Sequence, residues 1–150
     1  MGFEVVAIDK GPDRGVIARR LGAHRYIDST TQDVGEVLTA LGGAKAILAT
    51  APSAKAMGDA IEGLTLDGTL LVLGLPSEPI AVPPLRLVTG RSIKGAAGGV
   101  AMEAEDAMAF SILTGVRPVI ETMPLERAAE AYARMMAGHA QFRIVLTTGF

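Results

Sequence analysis

Phe3-Glu4-Val5-Val6-Ala7-Ile8-Asp9 reads as a short buried strand closed by an acid. Val5, Val6 and Ile8 are β-branched, which suits a pleated, packed surface better than a helix. Gly11-Pro12 then opens a helix, and Gly22 lies just beyond its end. Proline near the start and glycine past the end are the usual punctuation of a helix. Arg25-Tyr26-Ile27-Asp28 follows as a second short strand, again ending in an acid. Strand, helix, strand is the opening of an α/β protein.

The alternation continues along the chain. Val34, Val37, Leu38 and Leu41 recur at helical spacing before Gly42-Gly43. Ser53 is placed to cap a helix whose apolar stripe is Met57, Ala60, Ile61 and Leu64. A less regular helical stretch covers residues 103–113, with Ala104, Ala107, Met108 and Ile112 as its apolar positions. Pro124 opens a last helix carrying Leu125, Ala128, Ala129, Tyr132, Met135 and Met136 on one face. Between these lie Ala46-Ile47-Leu48-Ala49 and Leu70-Leu71-Val72-Leu73, unbroken apolar runs expected to be covered on both faces of a parallel sheet. Ser92-Ile93-Lys94-Gly95 and Phe142-Arg143-Ile144-Val145-Leu146 complete the strands. With no internal repeat and no linker, residues 1–150 are expected to form one doubly wound parallel α/β domain with a C-terminal tail.

Composition narrows the function classes. Hydrophobic residues make up 49% of the chain and aromatics only 4%, so the core must be aliphatic. The net charge is −2 and there is no basic run, which leaves nucleic-acid binding without its electrostatic basis. Cysteine is absent, excluding disulfides and thiolate metal sites and fitting a reducing compartment. The N-terminus lacks the pattern of a secretory signal, and apolar runs such as Thr69 to Leu75 are too short to span a bilayer. A cytoplasmic protein without a membrane partner is expected.

Asp9 carries the functional reading. In dinucleotide-binding α/β domains, an acid closing the second strand binds the adenosine ribose, about 20 residues after a glycine-rich loop. Here the acid stands nine residues from the start, so the first strand and the glycine-rich loop are missing from this sequence. A methyltransferase-like domain also closes its second strand with such an acid and stays open on this feature alone.

The later segments narrow the choice. Val5 to Asp9, Arg19-Arg20-Leu21-Gly22-Ala23, Leu66-Asp67-Gly68-Thr69 running on to Gly74-Leu75-Pro76, Ile93-Lys94-Gly95, and Pro118-Val119-Ile120-Glu121 running on to Ala128 occur in a set order. Together they resemble the C-terminal part of the medium-chain, zinc-dependent alcohol dehydrogenases, including most of the NAD-binding domain. The resemblance covers essentially the whole chain. It implies a Rossmann-like sheet lacking its first strand, and NAD rather than NADP, because a carboxylate at Asp9 repels a 2′-phosphate.

The resemblance also implies a set of cofactor-binding residues. Asp9 matches the ribose acid, and Arg14 falls where the family often has a basic residue beside the ribose; a solvated helix face reads equally well for Arg14. Thr50 and Ala51, and then Gly74 and Leu75, fall where backbone lines the nicotinamide half. Gly98, with Gly95 and Gly99, follows the last sheet strand near the same end. Arg143 matches an arginine that pairs with the pyrophosphate, or is an arginine on an exposed strand face. His24 and His139 are far apart in sequence and read as surface residues, since zinc needs several converging ligands. The family's zinc and proton relay belong to a separate domain, so the resemblance implies no catalytic residue and no zinc in this chain, and NAD binding that is weak or absent.

The missing strand would lie mid-sheet in the order 3-2-1-4-5-6. Open strand edges are costly and template association. The gap is therefore expected to close, by direct pairing of its flanking strands or by exchange between chains. The resemblance further implies a homodimer through the edge strand Ser92–Gly95 and the loop from Pro76 to Leu87, where Ile80, Val82, Leu85 and Leu87 are unusually apolar for a solvated loop. A non-catalytic dimerisation remnant is the competing reading.

Overall fold

The computed structural model describes residues 2–95 and 99–149. The chain divides into two compact units, Met1–Gly98 and Gly99–Phe150.

The first unit alternates strand and helix: β1 (Val6–Asp9), α1 (Pro12–Arg20), β2 (Arg25–Asp28), α2 (Val34–Ala40), β3 (Ala44–Ala49), α3 (Ala54–Ile61), β4 (Leu64–Val72), α4 (Pro84–Val88) and β5 (Ser92–Gly95). All its strand pairs are parallel. β1 pairs with β2, with Asp9 opposite Asp28. β3 pairs with β4 and β4 with β5, giving the order β3-β4-β5.

The two sheets share one core. Ile27, Val34, Leu38, Met57, Ala60, Ile61, Leu64 and Leu70 are buried together, and Val6, Ile8, Ile47, Ala49 and Ile93 pack against them. Val34, Val37 and Leu38 of α2 and Met57, Ala60 and Ile61 of α3 lie on this core as their spacing predicts, whereas Leu41 is exposed just past α2 and Leu64 opens β4. Two glycines let them approach closely. A Cβ on Gly35 would lie 2.7 Å from the Glu62 Cβ, and one on Gly63 would lie 2.5 Å from the Leu38 Cβ. Asp33 caps α2 by accepting from the Glu36 N–H at 2.8 Å, and Ser53 caps α3 by accepting from Ala56.

Three expectations are corrected. Among the described residues β1 pairs only with β2 and β3 only with β4, so the direct closure of the gap is not formed. α2 packs on β4 and α3, with Val34 and Leu38 buried in the shared core. The apolar run of β3 is covered on one face only: Ile47 is half-buried, whereas Leu48 is 65% exposed. The loop after Pro76 contains the short helix α4, opened by Pro84 at its first position.

The second unit holds α5 (Ala101–Thr114), β6 (Ile120–Pro124), a 3₁₀ turn (Leu125–Arg127), α6 (Ala128–Met136) and β7 (Arg143–Thr147). β6 and β7 are parallel, with Ile120 opposite Arg143. The proposed stripe of α6 is also corrected. Tyr132, Met135 and Met136 are exposed, and the buried position is Ala131, flanked at a spacing of three by half-buried Ala128 and Arg134. A two-stranded sheet covers only a narrow line of the helix, which Ala128, Ala131 and Arg134 occupy. Glu121 of β6 accepts from the Arg134 guanidinium at 2.6 Å and from the Gln141 N–H at 2.8 Å, fastening α6 and the turn before β7. None of α5 is buried, so its apolar positions form no core here.

Candidate functional site

In a parallel sheet every strand ends on the same side, and ligands collect at those carboxyl ends. Asp9 is the last residue of β1 and is exposed. Its Oδ1 accepts from the Lys10 N–H at 2.8 Å, and its carbonyl accepts from the Ser29 N–H at 2.9 Å and the Ser29 hydroxyl at 3.2 Å. The acid is thus held at the sheet end by its neighbours on both strands.

Thr50 and Ala51 follow β3, and Gly74 and Leu75 follow β4. These four come together. The Leu73 and Gly74 N–H groups both donate to the Ala49 carbonyl, at 3.0 and 2.9 Å. A Cβ on Gly74 would lie 2.5 Å from the Thr50 oxygen and 2.7 Å from the Ala51 carbonyl carbon. Glycine is therefore required there by close backbone approach rather than by a turn. Leu75 is 85% exposed at this corner.

Asp9 has its contacts on the β1–β2 sheet, and the Thr50–Gly74 corner belongs to the β3–β4 sheet. Arg14 lies on α1, where its charge acts on the Tyr26 phenol. Arg143 opens β7 in the second unit and is exposed. Gly98 lies outside the described residues. His24 and His139 are exposed, and the His24 Nδ1 accepts from the Val5 N–H at 3.1 Å. Among the described residues no group of three or more histidines or carboxylates could hold a metal ion. Among the described residues no helix is long and apolar enough to cross a membrane.

Two residues beside Asp9 escaped the sequence reading. Asp28 Oδ1 accepts from the Gly11 N–H at 2.9 Å, the Thr30 N–H at 3.0 Å and the Thr30 hydroxyl at 2.6 Å. The Thr30 hydroxyl first, then the Gly11 and Thr30 amides, hold this carboxyl below the usual carboxylate range. The Tyr26 hydroxyl donates to the Gly11 carbonyl at 2.6 Å. Burial, then the charges of Asp28 and Asp9, push the phenol up. The available signal was Asp28-Ser29-Thr30, the composition of a turn in which an aspartate caps the backbone ahead of it.

Sequence comparison decides the family. The family model described as zinc-binding dehydrogenase matches residues 1–113. The chain belongs to the zinc-binding dehydrogenases. Within that family it is similar to the alcohol dehydrogenase notN of Aspergillus sp. (strain MF297-2), at 42% identity over 147 residues, and to the alcohol dehydrogenase patD of Penicillium expansum, at 39% over 146. These matches cover 98% and 97% of this chain but only 43% of each relative. The chain thus spans less than half the length of the curated dehydrogenases it matches. The crystal structure of an NAD-dependent alcohol dehydrogenase superposes with a TM-score of 0.87 over 97% of this chain and 44% of that one, at 22% identity. That likeness shows the Rossmann-like fold.

For a dinucleotide, the adenosine end fits: an exposed carboxylate closes β1 as a ribose diol requires.

Proposed function

We propose that this zinc-binding dehydrogenase chain is the cofactor-binding region of an NAD-dependent alcohol dehydrogenase, and is catalytically incomplete by itself. The observation that carries the reading is the exposed Asp9 carboxylate at the carboxyl end of β1, anchored through its main chain to Ser29. NAD, when bound, accepts the hydride that turns an alcohol into an aldehyde or ketone. This chain's own part is to bind and orient. Asp9 accepts hydrogen bonds from the ribose hydroxyls and disfavours a 2′-phosphate. Thr50, Ala51, Gly74 and Leu75 offer backbone to the nicotinamide half. Zinc ligands and the proton relay lie with a separate catalytic domain. Membership of the dehydrogenase family removes the support for a methyltransferase-like reading.

Titration calorimetry with NAD tests this. Binding in the millimolar range that is lost in Asp9→Asn supports it. No heat at millimolar NAD favours the competing remnant that associates and binds no cofactor.

Association is part of the proposal, in a cytoplasmic setting. β5 pairs on one side only among the described residues, and α4, just before it in the chain, exposes Leu85, Leu87 and Val88. An open edge next to apolar side chains suits a second copy pairing strand to strand. The unpaired edges of β1 and β3 offer a further route, exchange between chains.

A further inference from the structure

Both polar groups of one peptide residue, Gly11, are held by β2. Its N–H donates to Asp28 Oδ1 at 2.9 Å, and its carbonyl accepts from the Tyr26 hydroxyl at 2.6 Å. Gly11 connects the acid of β1 to the first residue of α1, and its φ of +85° is a conformation that side chains resist. Nothing would touch a Cβ there, so the glycine answers to backbone shape and not to space. The Tyr26 ring reaches this point by lying beneath α1. A Cβ on Gly15 would stand 2.6 Å from the ring, and Gly15 is the buried residue of that helix.

We infer that Tyr26 and Asp28 are positioning residues that clamp Gly11 and so fix the Asp9 carboxylate for an adenosine ribose with a free 2′-hydroxyl. The inference rests on the cofactor-binding reading above. Asp9 sits two residues before Gly11, and Lys10 between them already donates its N–H to Asp9 Oδ1 at 2.8 Å. A loop tied at only one end would let Asp9 and Lys10 turn together. With Gly11 held at both its N–H and its carbonyl, the turn has little torsional freedom, and the acid is oriented before ligand arrives. Preorganisation of this kind raises affinity by removing an ordering cost. It also sharpens discrimination, because a hydroxyl is read well only by an acceptor that is already in place.

The test is Tyr26→Phe, which keeps the ring under α1 and deletes only the hydroxyl. Two ligands are titrated into the 150-residue chain by NMR: ADP and 2′-deoxy-ADP. The wild type is expected to prefer ADP by about tenfold, the scale of one charge-assisted hydrogen bond. In Tyr26→Phe that preference is expected to fall to about threefold or less, whereas a merely loosened protein loses both affinities equally and keeps the ratio. Exchange of the Gly11 amide hydrogen, measured without ligand, is expected to speed up about tenfold in the variant. An unchanged ADP preference in Tyr26→Phe overturns the clamp's role in ribose recognition. Unchanged exchange at Gly11 overturns the clamp itself. If wild type shows no preference for ADP, the cofactor reading fails, and the exchange measurement still decides whether the clamp exists.

Discussion

Gly63 lies directly against Leu38: a Cβ on the glycine would come 2.5 Å from the leucine Cβ and 2.6 Å from its Cδ1. Leu38 is 3% exposed and has no room to retreat. Gly63→Ala is therefore expected to overpack the α2–α3 contact and destabilise the first unit by about 1–3 kcal/mol. Urea unfolding checks this, with a lower midpoint and an unchanged slope.

Ile61 is fully buried at the centre of the same core. Ile61→Ala removes its packing within that core and leaves a cavity, costing about 2–5 kcal/mol. Thermal unfolding should show a melting point lower than that of Gly63→Ala. An equal or smaller loss would mean the site collapses to fill the void.

Asp33 and Ser53 cap neighbouring helices with different geometry, at 2.8 Å and 3.3 Å. Asp33→Ala is expected to cost about 1 kcal/mol, and Ser53→Ala less, since the longer bond contributes less. Side-by-side denaturation of the two variants measures the difference.

Asp28 carries a pH signature. Its carboxyl is held below the ordinary range by the Thr30 hydroxyl and the Gly11 and Thr30 amides. A carboxylate whose folded pKa is depressed contributes stability above its unfolded value and loses it as pH falls through the folded value. Asp28→Asn should thus be less stable than wild type at neutral pH, and the gap should close in acid. Paired melts across pH 7 to pH 2 read it directly; a gap that persists at the acid end would assign the loss to packing.

The α4–β5 edge makes a further claim on association. Val88, the last residue of α4 and just ahead of β5 in the chain, is 80% exposed. On the proposed strand-to-strand association, Val88→Asp is expected to weaken self-association in sedimentation equilibrium and to lower the melting point only as far as association had raised it; an unchanged sedimentation profile overturns this edge as the contact.

Met57, Ala60 and Ile61 could be read as one helical stripe from the sequence, and they are buried together, whereas Leu64, read as the next position of that stripe, opens β4. The acid at the end of β1 could also be read, as could the alternation that makes the fold parallel α/β. These follow from local spacing: a helix or strand repeats its faces over a few residues, and the order of residues alone records which face is apolar. The sequence could not say that Leu48 faces outward, that Ala131 and not Met135 is the covered position of α6, or that β1 and β3 stay apart. Each depends on which distant segment lies against a face, and spacing within an element holds no information about its neighbour. The same limit hid the clamp on Gly11, where a tyrosine fifteen residues away and an aspartate seventeen residues away meet one peptide. Local pattern chose the elements of this protein; only packing at long range decided what they cover and where its acid points.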